Sequence, residues 1–247
     1  LLLSVTLLAG PAAALGSANK GTSAAAFLKL PAGARAAALG DAFGALEGGA
    51  LSAAYNPAAL GRLGAVELTG THESRFQDLA HDFGALAVPL AALTDSRRAR
   101  TAWGAAALSV RTLGASDIPR RGVVETEEPT GTFGASDACY ALSYGRSAGA
   151  LSVGGTLKLV EQKLDAARGR AAAADAGLLW SRDRLRLAGG FRHWGQALSL
   201  GSTPDPLPFT LFGAGAWRAA PGLTAAVEVR LPRDDGPRLS LGVEASR

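Results

Sequence analysis

"ALSVGGTLKLV", Ala150 to Val160, alternates with a period of two: Leu151, Val153, Gly155, Leu157 and Leu159 fall on one side, Ser152, Gly154, Thr156 and Lys158 on the other. Successive side chains of an extended chain point to opposite faces, so the run reads as a β-strand with one apolar and one polar face. The pattern recurs in the C-terminal half. "RLRLAGGFRHW" sets Leu185, Leu187, Gly189 and Phe191 against Arg184, Arg186, Ala188, Gly190 and Arg192. "LTAAVEVRL" sets Leu223, Ala225, Val227, Val229 and Leu231 against Thr224, Ala226, Glu228 and Arg230, and "RLSLGVEAS" sets Leu239, Leu241, Val243 and Ala245 against Ser240, Gly242 and Glu244.

Turn-forming stretches punctuate the runs: "TDSRRAR" after Leu93, "SAG" at Ser147, "SRDR" at Ser181, "APG" at Ala220 and "RDDGP" at Arg233. Segments bounded in this way give about ten strands, near 65–73, 80–92, 102–111, 135–147, 149–164, 172–181, 184–194, 208–218, 222–231 and 238–246. Most have the length that a tilted strand needs to cross a bilayer. Short turns are expected after strands two, four, six and eight. The longer links include "GASDIPRRGVVETEEPTGTFG" and "GQALSLGSTPDPLP", and this alternation is that of outer-membrane barrels with short periplasmic turns. Trp103, Tyr144, Trp180 and Trp217 all fall at the same, periplasmic, end and form an expected aromatic rim.

A soluble sandwich also alternates, and there the polar face simply meets water. In a barrel, Lys158, Arg184, Arg186, Arg192, Glu228 and Arg230 would face a lumen, solvated by water or by partner charges, while the apolar face would meet outer-membrane lipid. The N-terminus favours the barrel. Leu1 to Gly10 is an apolar run of signal-peptide length, followed by the small residues Gly16-Ser17-Ala18, so residues 1–18 read as a secretory signal already truncated at its start. No later apolar run approaches the roughly 20 residues of a spanning helix. The fold class is therefore an all-β antiparallel transmembrane barrel over 65–247, preceded by a compact segment over 19–64 and located in the bacterial outer membrane.

That segment, "GTSAAAFLKLPAGARAAALGDAFGALEGGALSAAYNPAALGRL", consists of small-residue helical patches cut by glycine. Asn56 is a natural N-cap and Pro57 a natural first helical residue, so Tyr55-Asn56-Pro57-Ala58 reads as a tight helix restart. Small side chains suit it to pack in a confined space, as a plug.

"FLKLPAGARAAALGDAF" followed by "AAYNPAALGRL", with the later "DPLPFTLFGAGAWR" and "LPRDDGPRLSLGVE", resembles the PorV/PorQ family within the FadL-like outer-membrane proteins. Tyr55-Asn56-Pro57-Ala58 looks like that group's Asn-Pro-Ala signature. The resemblance implies a fourteen-stranded barrel with the N-terminal segment lodged in its lumen. It also implies one of two functions: secretion-linked work with type IX secretion proteins, or passive passage of hydrophobic small molecules such as long-chain fatty acids. Two positions depart from the pattern, Ala59 and Asp41, each where glycine is common. With about ten strands against fourteen, the barrel is expected to be incomplete at its C-terminal end and the sheet to stay open, its strand near 238–246 lacking one neighbour.

Other classes find little support. The single cysteine, Cys139, cannot form an internal disulfide. The net charge of +4 comes from scattered basic residues without interleaved aromatics, so no nucleic-acid partner is expected. With three histidines, no His-Glu-x-x-His and no Gly-x-Ser-x-Gly, neither catalysis nor a cofactor is indicated. "HESRFQDLAHD" brings His72, Glu73, Asp78, His81 and Asp82 together, but its spacing is that of a hairpin with a polar rim and no metal is expected there. The acidic "VETEEPTG", Val123 to Gly131, reads as a solvated outer loop.

Overall fold

The computed structural model describes residues 19–93, 103–124 and 127–246. The expected signal over 1–18 and the turn "TDSRRAR" lie outside the described residues. Ten strands follow one another: β1 (Glu67–Ser74), β2 (Ala80–Pro89), β3 (Ala105–Arg120), β4 (Gly131–Ala148), β5 (Leu151–Leu164), β6 (Ala167–Arg182), β7 (Leu185–Gly195), β8 (Thr210–Ala220), β9 (Leu223–Pro232) and β10 (Arg238–Ala245). They form a single antiparallel sheet in sequence order, each strand paired with its neighbours along the sequence. Among the described residues β1 and β10 do not pair with each other, so the sheet is open.

Several strands differ from their expected bounds. β3 and β4 run well into the stretch read as a long loop, because a bulge between Ala115 and Ile118, with Asp117 left-handed at φ 56°, lets the ladder resume at Ile118 opposite Phe133. The Arg120 guanidinium lies 5.4 Å from the centre of the Phe133 ring and pairs with Asp165 at 2.7 Å, which holds that extension together. Likewise β6 starts at Ala167 because Asp165, at φ 54°, closes a two-residue turn with Ala166. Short turns therefore occur at both ends of the sheet.

In β7 the alternation is broken. A bulge in β7, where Arg192 and His193 together oppose the single residue Asp175 of β6 and His193 takes φ 61°, turns both side chains inward and leaves Trp194 exposed. A strict period of two places His193 on the face of Leu187 and Trp194 on that of Arg192.

The two faces of the sheet differ sharply. On one, Leu68, Leu86, Leu108, Leu142 and Leu157 stand directly opposite one another across β1 to β5, forming an unbroken row of leucines. Leu68 is 81% and Leu157 68% exposed. A second row, Trp180, Leu187, Gly215, Val227 and Leu241, crosses β6 to β10 and meets β5 at Leu151. The other face carries Ser143, Thr156, Lys158, Asp175, Arg192 and Glu228, all buried. Large apolar side chains are outside and charged ones inside, the reverse of a soluble domain.

What buries the polar face is the N-terminal segment. Its helical patches resolve into pieces of one or two turns: 3-10 helices at Ala26–Lys29, Gly49–Ala54 and Pro57–Arg62, and one α-turn, α1, at Ala34–Ala38. Phe43, Leu46, Tyr55 and Leu60 from this segment pack with Phe83, Ala85, Ala107, Ala216 and Ala226 of the strands to make the main apolar core.

Candidate functional site

The junction between the N-terminal segment and the polar face gathers the Tyr55-Asn56-Pro57-Ala58 motif and Lys158, Arg186, Arg192, Glu228 and Arg230. Its floor is a row of four glycines, Gly145, Gly154, Gly177 and Gly190, aligned side by side on β4 to β7. The Pro57-Ala58 backbone rests on the first two and the Asn56 side chain on the third. A Cβ on Gly145 would collide with the Pro57 carbonyl, one on Gly154 with the Pro57 carbonyl and the Ala58 nitrogen, and one on Gly177 with the Asn56 side chain. Sheet and turn approach this closely only because there are no side chains between them.

Asn56 is fully buried and uses both ends of its amide. Its Oδ1 accepts from Ala58 N–H at 3.1 Å, capping the turn that starts at Pro57. Its Nδ2 donates to the carbonyls of Gly44 at 2.8 Å and Leu178, on β6, at 3.2 Å. The cap was legible in the sequence, the tie to the wall was not. Asn56→Ala is expected to destabilise the fold by about 2 kcal/mol, about 1 for the cap and the rest for two carbonyls left without a donor. Asn56→Asp keeps the cap but turns a carboxylate oxygen toward the two carbonyls, so it loses the wall contact and adds the cost of a buried charge without a partner. Thermal melting of the two variants beside the parent checks this; equal melting of Asn56→Asp and parent would remove the wall contact from the account.

Tyr55 works in the opposite direction. Its phenol donates to Asp41 Oδ1 at 2.9 Å and accepts from Ala32 N–H at 2.9 Å, and burial beside the Asp41 charge holds it above its ordinary range, so it stays a donor. Asp41 takes the left-handed conformation that glycine would favour, at φ 66°. Its carboxylate pairs with Arg230 of β9 at 3.0 Å.

The expected lumen charges meet partners rather than open water. Arg192 donates from Nε to the Tyr55 carbonyl at 2.7 Å, and its Nη2 lies 3.0 Å from Glu228 Oε1, close but not aligned as a hydrogen bond. Glu228 Oε2 accepts from Phe43 N–H at 3.2 Å and Gly44 N–H at 2.7 Å. Lys158 pairs with Asp175 at 2.5 Å and reaches His193 Nδ1 at 3.1 Å. An ammonium only donates, so His193 is neutral with its proton on Nε2. Arg186 reaches Glu47 of the segment at 3.2 Å. Arg184 stands apart: it sits in the turn between β6 and β7 and is exposed, because the hairpin closes one residue later than the alternation implied.

Further ties come from residues that the alternation did not single out. Arg35 of α1 grips Glu244 of β10 through two bonds, at 2.6 and 2.8 Å, and Lys29 pairs with Asp234 at 2.6 Å. Arg111 of β3 donates to the carbonyls of Leu28 and Leu30 at 2.9 and 3.3 Å. These partners are far apart in sequence and the strand period gives no signal for them.

Trp103, Tyr144, Trp180 and Trp217 do lie at one end of the sheet, where the turns after β4, β6 and β8 also lie. Trp103, Tyr144 and Trp217 are exposed and Trp180 is half-buried; the Tyr144 hydroxyl donates to the Trp103 carbonyl at 3.0 Å. At the opposite end the β1–β2 hairpin pairs His72 with Asp82 at 2.7 Å and Glu73 with both Arg75 and His81. Among the described residues no group of three or more His, Cys, Asp or Glu side chains is gathered to hold a metal.

The space left between segment and sheet is divided. A cavity of about 50 Å³ lies beside Arg111, Arg192 and Arg230, one of about 20 Å³ beside Cys139 and Lys158, and one of about 320 Å³ at the rim, between Ala24 to Phe27 and Leu198. No protein-family model matches this sequence, and no curated protein matches it either.

Proposed function

We propose that the protein forms the wall and plug of an outer-membrane β-barrel of PorV/PorQ type, with a secretion-linked role in which the exposed rim and loops engage other proteins. The observation that carries the membrane part is the pair of apolar rows on the solvent-exposed face, opposed to a charged face covered by the N-terminal segment. Contiguous exposed apolar surface on this scale needs a non-aqueous partner, and lipid-facing and lumen-facing residues alternate in this sense in spanning barrels. The aromatic ring at one end fits the interface between hydrocarbon and headgroups. In hydrocarbon the N–H and C=O groups of the β1 and β10 edges must also be paired, so the spanning form is closed.

The choice between the two functions rests on the plug. A passive channel for long hydrophobic molecules requires an apolar conduit past the N-terminal segment. Here that path is crossed by the ion pairs Arg192–Glu228, Arg230–Asp41 and Lys158–Asp175, and the cavities beside them are of about 50 and 20 Å³. A segment latched in this way suits a static plug within a protein-binding scaffold.

Deletion of the gene in its host tests the choice. The secretion-linked reading expects exported surface proteins to accumulate in the periplasm while uptake of labelled oleate is unchanged. Loss of oleate uptake with normal export would replace it by the passive channel. Recovery of the folded protein in the soluble periplasmic fraction, rather than in membranes washed with alkaline carbonate, would contradict both.

A further inference from the structure

The cavity of about 50 Å³ between the N-terminal segment and the wall has a lining of unusual charge. Lys29, Arg111, Arg192, Arg230, Arg238 and His193 border it, and the acidic residues among its walls are Asp41 and Asp235. Four of the five cations have a carboxylate of their own: Lys29 has Asp234, Arg192 has Glu228, Arg230 has Asp41 and Arg238 has Asp235. Arg111 does not. Among the described residues its hydrogen bonds go to two backbone carbonyls, and its ring contact is to Phe83 at 5.7 Å. Its side chain is nevertheless buried, at 8% exposure. The neutral His193 contributes no positive charge, so the walls and their partners sum to about one uncompensated cation.

A buried guanidinium without a countercharge is costly. Guanidinium groups bind planar or tetrahedral oxygen anions through paired N–H donors. A space of about 50 Å³ exceeds the roughly 10–15 Å³ that one water needs, and has room for one small polyatomic ion but none for a lipid tail. We propose that this cavity binds a single small oxyanion, a carboxylate or a phosphate monoanion, with Arg111 supplying its countercharge. Because Lys29, Asp41 and Tyr55 come from the N-terminal segment and Arg111, Arg192 and Arg230 from the strands, the ion ties plug to wall. This inference rests on the docking of the segment and not on the membrane reading.

The test uses the full-length protein refolded in neutral detergent. Thermal melting is followed as sodium HEPES, whose anion is too large for the cavity, is replaced at constant ionic strength by sodium phosphate in one series and sodium acetate in another. A site binding one ion raises the melting temperature saturably, by about 5–10 °C when the ion is a hundredfold above its dissociation constant. The series with the lower half-saturation identifies the preferred anion. Arg111→Gln abolishes the rise, and Arg238→Gln, at the exposed edge, weakens it several-fold. Titration calorimetry of the parent gives one-to-one binding and keeps the test valid if Arg111→Gln fails to fold. No saturable heat in the parent, or a melting response in Arg111→Gln equal to that of the parent, overturns the site.

Discussion

Glu228→Ala is expected to lower stability by about 3–5 kcal/mol and to free the middle of the N-terminal segment. Glu228 is fully buried on β9, and removing it leaves the buried Arg192 without its countercharge and the N–H groups of Phe43 and Gly44 without an acceptor. Breaking a buried ion pair from one side costs that much because the remaining charge is left without solvent or partner. Glu228→Gln separates the contributions, since its carbonyl oxygen still accepts from the two backbone donors while the charge is gone. Hydrogen exchange at the Phe43 and Gly44 amides should accelerate by about a hundredfold or more in Glu228→Ala, each factor of ten corresponding to about 1.4 kcal/mol, and by less in Glu228→Gln. Unchanged protection in both variants would mean that the latch is not at Glu228.

The second large effect belongs to the glycine row. Gly154→Val is expected to cost about 3 kcal/mol, at the upper end for overpacking, because the new side chain meets backbone of Pro57 and Ala58 rather than a side chain able to rotate away. The loss should appear as reduced protection over Tyr55 to Leu60, with the sheet intact. Gly213→Ala on β8 is the control: a Cβ there meets nothing within 4 Å, so its effect should stay within about 0.5 kcal/mol. Equal behaviour of the two variants would show that the close approach between turn and wall is absent in solution.

These two positions also show where the sequence was legible. The faces of β5 and β9 follow from strict alternation, because one residue of slip would exchange every side chain, and Lys158, Glu228 and Arg230 lie on the expected face. The cap at Asn56 is equally local: an Asn-Pro pair announces it. β7 defied the same reasoning at His193, since a bulge adds a residue that no periodicity in the strand itself records. The extension of β3 and β4 beyond Ala115 was hidden for the same reason.

Non-local placement was the other obstacle. Gly145, Gly154, Gly177 and Gly190 read individually as ordinary strand glycines; only the register across four strands makes them a floor. The leucine row from Leu68 to Leu157 arises likewise, from hairpin registers that turn lengths had only approximately indicated. The polar face is expected to meet water or partner charges, and the partners are other strands of the sheet for Lys158–Asp175 and Arg192–Glu228 and the protein's own N-terminal segment for Arg230–Asp41 and Arg186–Glu47. Arg35 with Glu244 and Arg111 with the carbonyls of Leu28 and Leu30 depend on how that segment folds back, which neither period nor motif specifies.

In a membrane-spanning sheet the exposed leucine row lies in hydrocarbon. Single cysteines at Leu108, Leu142 and Leu157, in a Cys139→Ser background, can carry spin labels in protein reconstituted into phospholipid vesicles. Collision rates are then measured with oxygen, which concentrates in the bilayer core, and with a water-soluble nickel complex. All three labels should collide strongly with oxygen and weakly with nickel, while a label at Val123 in the loop between β3 and β4, fully exposed in the structure, should do the reverse. High nickel accessibility along the leucine row would place this face in water and contradict the membrane-spanning sheet.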